Sequence, residues 1–494
     1  MKKILPITLS VLFVFIFTLG FLSCNFGKEV CQHRDADDNL LCDKCGESYT
    51  DGKDVEDAPV CQHRDADDNL LCDKCGENYT DGKDVGDAPV CEHIDADDNY
   101  LCDKCEDVMQ VEGLEFKSNG DGTCYVSGIG TFDKPWLIIP SKSPENEIVT
   151  AIGDSAFSWC ENLTSVTIPD SVTTICDDAF VYCTSLTSMT LGNSVITIGD
   201  YAFYACNSLT SITIPDSVTT IGDSAFSDST SLASVILGNS VTTIGDYAFA
   251  YCDITRVTIP DSVTTIGDCA FYGCENLTSI EISENNTAYK SIEGNLYTKD
   301  GKILIQYAIG KSDTSFTIPD GVTTIGELAF SSCQKLTILI FSDSVTTIGE
   351  YAFAGSTSLA SIEVSKSNAV YSSINGNLYT KDGKTLVQYA IGKSDTSFTI
   401  PDGVTTIGAS AFRGCDILTN IIIGNSVTTI GEYAFDYCYS LTSVTFKDTS
   451  TWYITYNYDD VVNMAGGERI SVEDRSDNAE NLTSMYCDYY WYKK

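Results

Sequence analysis

Each of the three histidines in the 494-residue chain stands two residues after a cysteine. Cys31-Gln32-His33 recurs as Cys61-Gln62-His63 and Cys91-Glu92-His93, a period of 30 residues. Each copy continues with Asp-Ala-Asp-Asp-Asn and then a Cys-x-x-Cys pair: Cys42 with Cys45, Cys72 with Cys75, and Cys102 with Cys105. Residues two apart on an extended strand point to the same side, so a Cys-x-His step can offer two ligands to one ion. The Cys-x-x-Cys turn supplies two more, which makes Cys3His, a tetrahedral zinc set. Zinc is therefore the cofactor these modules suggest, one ion per module. Disulfides compete in an exported chain, although three cysteines per module leave one thiol over. An acidic spacer without fixed structure is a third option. The third module differs at Glu92, Ile94 and Tyr100 yet keeps all four candidate ligands.

Calcium fits less well. Asp35, Asp37, Asn39 and Asp43 fall at positions 1, 3, 5 and 9 of a calcium-loop start, but Leu40 stands where the loop needs glycine and Gly46 where it needs glutamate. A solvated acidic turn explains the same residues.

Charge bounds the partners. The formal net charge is −41, which excludes nucleic acid, because a phosphate backbone is bound by neutralising it. Residues 31–110 carry 24 Asp/Glu against 7 Lys/Arg, the mark of an acidic stalk. The N-terminus reads as an export signal: Lys2 and Lys3 precede an apolar run from Ile4 to Leu22. That run ends in Ser23-Cys24, which resembles a lipoprotein box and implies cleavage before Cys24 and acylation of its thiol. Phe21 and Leu22 depart from the commonest form of that box, and an ordinary signal peptide or an uncleaved span of 19 residues would also fit. The expectation is an exported protein on the cell surface or outer membrane, touching the membrane only through its lipid. The division expected is 1–23 signal peptide, 24–110 stalk, 111–150 and 448–494 caps, and 151–447 body.

What the body must position is set by one phrase: Ile-Gly-Asp-x-Ala-Phe-x-x-Cys followed by Ser-Leu-Thr-Ser-Val-Thr-Ile-Pro-Asp-Ser-Val-Thr-Thr. Its phenylalanines are Phe157, Phe180, Phe203, Phe226, Phe249, Phe271, Phe330, Phe353, Phe412 and Phe435, with spacings of 23, 23, 23, 23, 22, 59, 23, 59 and 23. A fixed period in the twenties predicts a solenoid, mainly β with short helical turns, of about twelve coils. In each coil a short strand sends residues such as Val166 and Ile168 inward and Ser165 and Thr167 outward. Val172 and Ile175 return to the core, and Ala156 and Phe157 fill the far side from a short helical turn. Each 59-residue gap divides into 36 and 23. The 36-residue units contain Gly-Asn-Leu-Tyr-Thr-Lys-Asp-Gly-Lys at 294–302 and 376–384. There Asp300-Gly301 and Asp382-Gly383 predict two-residue hairpin turns that replace the Ala-Phe side. Cysteine stands three residues after the phenylalanine in eight of ten coils, and Ser229 and Ser356 take its place in the other two. A residue that serine can replace is a small buried filler.

The phrase I-G-x-x-A-F-x-x-C-x-x-L-x-x-V-x-I-P-x-S-V resembles the BspA-type leucine-rich repeat of bacterial surface proteins, treponemal forms among them, over about residues 115–494. The resemblance implies a displayed solenoid that adheres to host matrix proteins or to other microbes, and it brings no catalytic residues.

The outward strand positions make a hydroxyl face: Ser165 and Thr167, Ser188 and Thr190, Ser211 and Thr213, Ser443 and Thr445. It is interrupted at Ile236, Arg256, Glu281, Ile338, Ile340, Glu363 and Ile422. This is the expected recognition surface for an extracellular protein, although serine and threonine are also simply good solvated strand residues. Catalysis has little to work with. Residues 94–494 contain no histidine, so Ser-His or Cys-His nucleophiles are absent from the body. Glu281 and Glu363 fall three or more coils apart, too far to act as a glycosidase pair. The expectation is a non-catalytic binding protein; a metal-binding surface protein with the solenoid as scaffold is the alternative.

Overall fold

The computed structural model describes residues 113–456, 458–463 and 467–493, together with the backbone of two short strands, Leu22–Phe26 and Glu29–His33. The chain divides into two units, Met1–Gln110 and Val111–Lys494. In the first unit the two strands pair antiparallel, with Cys24 opposite Cys31.

The second unit is a β-solenoid of about 14 coils with a 23-residue repeat. One face carries thirteen short strands grouped in five parallel sheets, from Trp136–Ile138 and Ser165–Thr167 through Asn420–Ile423 to Ser443–Phe446. The count exceeds the expected twelve partly because Trp136–Ile138, inside the expected cap, already pairs parallel with Ser165–Thr167. A second face stacks two-residue Thr-Ile strands, such as Thr174–Ile175 on Thr197–Ile198. Between the faces lie Val166, Ile168, Val172 and Ile175, all buried.

The Ala-Phe segments, expected as short helical turns, are runs of tight turns that form a third ladder. The N–H groups of Ser155, Phe157 and Trp159 donate to Asp177, Ala179 and Val181 of the next coil at 2.8 to 3.0 Å. The N–H groups between them turn back within the coil, as Ala156 does to Gly153. In this coil the donors from Ser155 to Cys160 are thus all used without a helix. The phenylalanines stack along the axis: Phe157–Phe180 at 5.0 Å, Phe180–Phe203 at 5.3 Å and Phe203–Phe226 at 5.1 Å. The coils approach so closely that a Cβ on Gly199 would lie 2.5 Å from Asp177 Oδ1, which is why Gly precedes Asp in the repeat. Cys176 occupies that glycine slot in its own coil.

The hairpin units depart from expectation in two ways. The hairpin does not replace the Ala-Phe side. Its strands, Tyr289–Ile292, Asn295–Thr298 and Ile303–Gln306, extend the Thr-Ile sheet, with Leu304 beside Ile325. The aromatic stack continues through tyrosine: Tyr307 lies 5.3 Å from Phe330 and Tyr389 lies 5.1 Å from Phe412. Nor is Asp300-Gly301 a two-residue turn. Four residues, Lys299 to Lys302, separate the strands, and Asp300 Oδ1 holds them by accepting from Lys302 N and Thr298 Oγ1. The two-residue turns are Glu293-Gly294 and Asn375-Gly376, with both residues of each at positive φ. Buried Asn286 fastens the unit to the coil before it. Its Nδ2 donates to the Pro260 and Val263 carbonyls, and its Oδ1 accepts from Ala288 and Tyr289. Asn368 makes the same four bonds in the second copy.

At the C-terminal end, Tyr490–Lys493 runs antiparallel to Thr429–Ile430, followed by Trp452–Thr455 and Glu468–Ile470. Trp452 and Trp491 close the core there. The final edge strand exposes Glu468 and Arg469, charges that discourage edge pairing. Among the described residues no helix is long and apolar enough to cross a membrane.

Candidate functional site

The outward strand positions lie in rows within five short parallel sheets, because each paired strand is in register with the same position of the neighbouring coil. Ser165 faces Ser188 and Thr167 faces Thr190; Ser211 faces Ser234 and Thr213 faces Ile236. Thr190 and Thr213 are exposed, while Ser165 and Thr167 are half-buried. Ser188, Thr190, Ser211 and Thr213 line a shallow depression with Met189, Asn193 and Pro215. A neighbouring row of threonines explains part of the hydroxyl content structurally. Thr187, Thr278 and Thr337 donate to the carbonyls of Thr164, Thr255 and Thr314 at 2.8 to 2.9 Å, stitching coil to coil.

The interruptions occupy the same rows. Ile236 is 60% exposed. Arg256 and Glu281, in adjacent coils, form an ion pair of 2.6 Å between Nη1 and Oε1, so the two charges largely answer each other. Farther along, Thr317, Ile340 and Glu363 make one continuous row, and Thr399, Ile422 and Thr445 another. Glu281 and Glu363 are not brought together: Glu281 is in register with Thr258 and Glu363 with Ile340.

The cysteine row lies inside. Cys183 and Cys206 donate their thiols to the carbonyls of Phe157 and Phe180, each one coil back, at 3.2 and 3.4 Å. Burial pushes the Cys206 and Cys274 thiols up to about 12. A thiol held protonated is neither a nucleophile nor a metal ligand. The half-buried Cys160, Cys176 and Cys269 are pushed up less, to about 11, again chiefly by burial.

Among the described residues no group of three or more His, Cys, Asp or Glu is placed to hold a metal. Of the expected zinc ligands, Cys31 and His33 fall on a described strand by backbone alone. Their expected partners Cys42 and Cys45 lie outside the described residues. So do all four ligands of the second module, Cys61, His63, Cys72 and Cys75, and of the third, Cys91, His93, Cys102 and Cys105. Cys24 is likewise described by backbone alone, and residues 1–21 are outside.

One surface escaped the sequence reading. The two variable positions flanking Ala-Phe sit at positive φ in every ordinary coil, and aromatic residues fill eight of them: Trp159, Tyr182, Tyr201, Tyr247, Tyr251, Tyr351, Tyr433 and Tyr437. Non-glycine residues in this region cost about 1–2 kcal/mol each, so large rings there are not the cheapest choice. Trp159 stacks on Tyr182 at 4.0 Å, and Tyr251 packs edge-on against Tyr272 at 5.2 Å. The recurrence of Tyr in Gly-Asp-Tyr-Ala-Phe and Gly-Glu-Tyr-Ala-Phe was the available signal.

With this geometry in place, the comparisons are specific. A family profile described as "BspA type Leucine rich repeat region (6 copies)" matches residues 150–278, 242–299, 307–381 and 389–464. A leucine rich cell surface protein from Faecalibacterium prausnitzii is similar at 32% identity and a TM-score of 0.52, over 69% of this chain and 94% of its own. The pneumococcal vaccine antigen PcpA shares the fold at 24% identity and a TM-score of 0.51, over 68% of this chain and 81% of its own. No curated protein matches the chain.

Proposed function

Because the chain belongs to the BspA-type leucine-rich-repeat family of bacterial surface proteins, we propose that it is a non-catalytic adhesin that recognises an extracellular protein along its strand face. The observation that carries this reading is the in-register hydroxyl face broken at Ile236, the Arg256–Glu281 pair, Ile340, Glu363 and Ile422. A broad, nearly flat surface with a few apolar and charged landmarks suits a protein partner, whereas a small substrate needs a deep concave site. Host matrix proteins and the surfaces of other bacteria are the partner classes to test. Immobilised full-length chain should retain one of them, and retention should fall when Ile236 is changed to Glu. Equal retention by the variant would remove Ile236 from the site.

On the same reading the protein is anchored at the cell surface through a lipid on Cys24. One zinc ion belongs to each Cys-x-His…Cys-x-x-Cys module between Cys31 and Cys105. Confinement of histidine to that motif also supports the second reading, in which metal capture is the function and the solenoid a scaffold.

A further inference from the structure

Arg413 shows what kind of group the aromatic edge accommodates. Its guanidinium carbon lies 4.5 Å from the ring centre of Tyr351 and 4.9 Å from that of Tyr437. Its Nε donates to Asp436 Oδ2 at 3.0 Å. Two rings and a carboxylate thus hold one planar cation, the arrangement that favours arginine over lysine.

The earlier coils carry the rings and the carboxylates without the cation. Between residues 155 and 273 the edge carries two groups of touching rings, Trp159, Tyr182, Tyr204 and Tyr201 in one and Tyr251 with Tyr272 in the other. A row of aspartates runs along the start of the same turns, Asp200 directly before Tyr201. Asp177, Asp200 and Asp223 each accept the next coil's aspartate N–H through Oδ1, at 2.7 to 2.8 Å, which leaves the second carboxylate oxygen of each to other partners. Among the described residues none of these aspartates is in an ion pair. Their mutual proximity is felt at Asp178, which is raised above the usual carboxylate range by burial and then by Asp177, Asp154 and Asp200. Asp228 stands beside the Tyr204 hydroxyl, as Asp436 stands beside Arg413 one coil back. Four of the rings, Trp159, Tyr182, Tyr201 and Tyr251, sit at strained positive-φ positions, and strain of this kind accumulates where a surface has work to do.

We propose that this aromatic and acidic edge, on the coils from Trp159 to Tyr272, binds arginine-bearing segments of partner proteins. Guanidinium groups stack on the exposed rings and the aspartate row neutralises them. The site is separate from the strand face, so either can fail without the other.

The test must separate stacking from plain attraction to a chain of net charge −41. The probe is a capped peptide of four Arg-Gly pairs, with its equally charged Lys-Gly counterpart as control, titrated into the full chain at an ionic strength of about 0.15 M. The variant is Trp159→Gly, Tyr182→Gly and Tyr251→Gly together, which leaves the charge unchanged and places glycine where φ is positive. Its far-ultraviolet circular dichroism and melting confirm the fold. The Arg-Gly peptide should bind the native chain more tightly than the Lys-Gly peptide, and the variant should lose about tenfold in affinity, the sum of two or three stacked cations. Equal affinity of native and variant chains, or of the two peptides, overturns the proposal.

Discussion

Ser229 donates its hydroxyl to the Phe203 carbonyl at 3.0 Å, the bond that Cys206 makes with its thiol to Phe180 at 3.4 Å. Ser356 repeats it to Phe330 at 2.5 Å. The row position needs a small buried donor aimed at the carbonyl of the phenylalanine one coil back. Cysteine and serine both meet that need.

Cys206→Ser should therefore cost about 1 kcal/mol or less. Phe203→Ala should cost about 3–5 kcal/mol, since it empties a site stacked on both sides. Denaturant melts of the two variants compare them directly. A cysteine change as damaging as the phenylalanine change would contradict the donor account.

The buried thiols also set an alkaline limit. Burial raises Cys206 and Cys274 from 9.0 to about 12 in the folded chain. The folded state keeps its protons where the unfolded state has lost them, so this contribution is complete below pH 9 and disappears as pH rises toward 12. The melting temperature should fall over that window, and the fall should be shallower in Cys206→Ser. An identical alkaline slope in both proteins would count against it.

The hairpin units offer a contrast between satisfied and unsatisfied polar groups. Asn286→Ala breaks four hydrogen bonds to buried backbone and should cost about 2–4 kcal/mol. Among the described residues the buried Tyr389 hydroxyl has no hydrogen-bond partner. Tyr389→Phe should accordingly be neutral within about 1 kcal/mol. Chemical denaturation measures both, and a Tyr389→Phe loss as large as that of Asn286→Ala would contradict the contrast.

The N-terminal modules make their own prediction. The purified mature chain should carry about three zinc ions, and His33→Ala should remove about one, because metal binding would supply the folding free energy of so small an apolar-poor module. Native mass spectrometry decides the matter; no metal, with the module cysteines paired as disulfides, contradicts it. Detergent partitioning of the native chain and of Cys24→Ser tests the anchor, and equal release of both into the aqueous phase would refute it.

Periodicity made most of the fold legible. Phe157 and its nine equivalents, with Val166, Ile168, Val172 and Ile175, define the coil because burial repeats with the same period as the residues. The hairpin units were legible as interruptions but not in register. Nothing in Asp300-Gly301 alone distinguishes a two-residue from a four-residue connection, and Glu293-Gly294 carries the weaker turn signal. The aromatic edge was hidden for a different reason. Positive φ is expected of glycine, and here Trp159 and Tyr182 adopt it because the ladder between coils demands it. Among the face residues, sequence order alone could not show that Arg256 and Glu281 meet.

On the proposed function, recognition belongs to the strand face. Thr167, Thr190 and Thr213 point outward from neighbouring coils, so changing all three to Gln, which adds bulk without stacking like charges, should leave the melting temperature nearly unaltered, within about 1 kcal/mol of stability. Equilibrium binding of the native and triple-variant chains to the same immobilised matrix protein is the direct measurement. A loss of about tenfold or more in affinity with the fold intact is the predicted result. Undiminished binding by the triple variant would contradict the claim and move the site off this face.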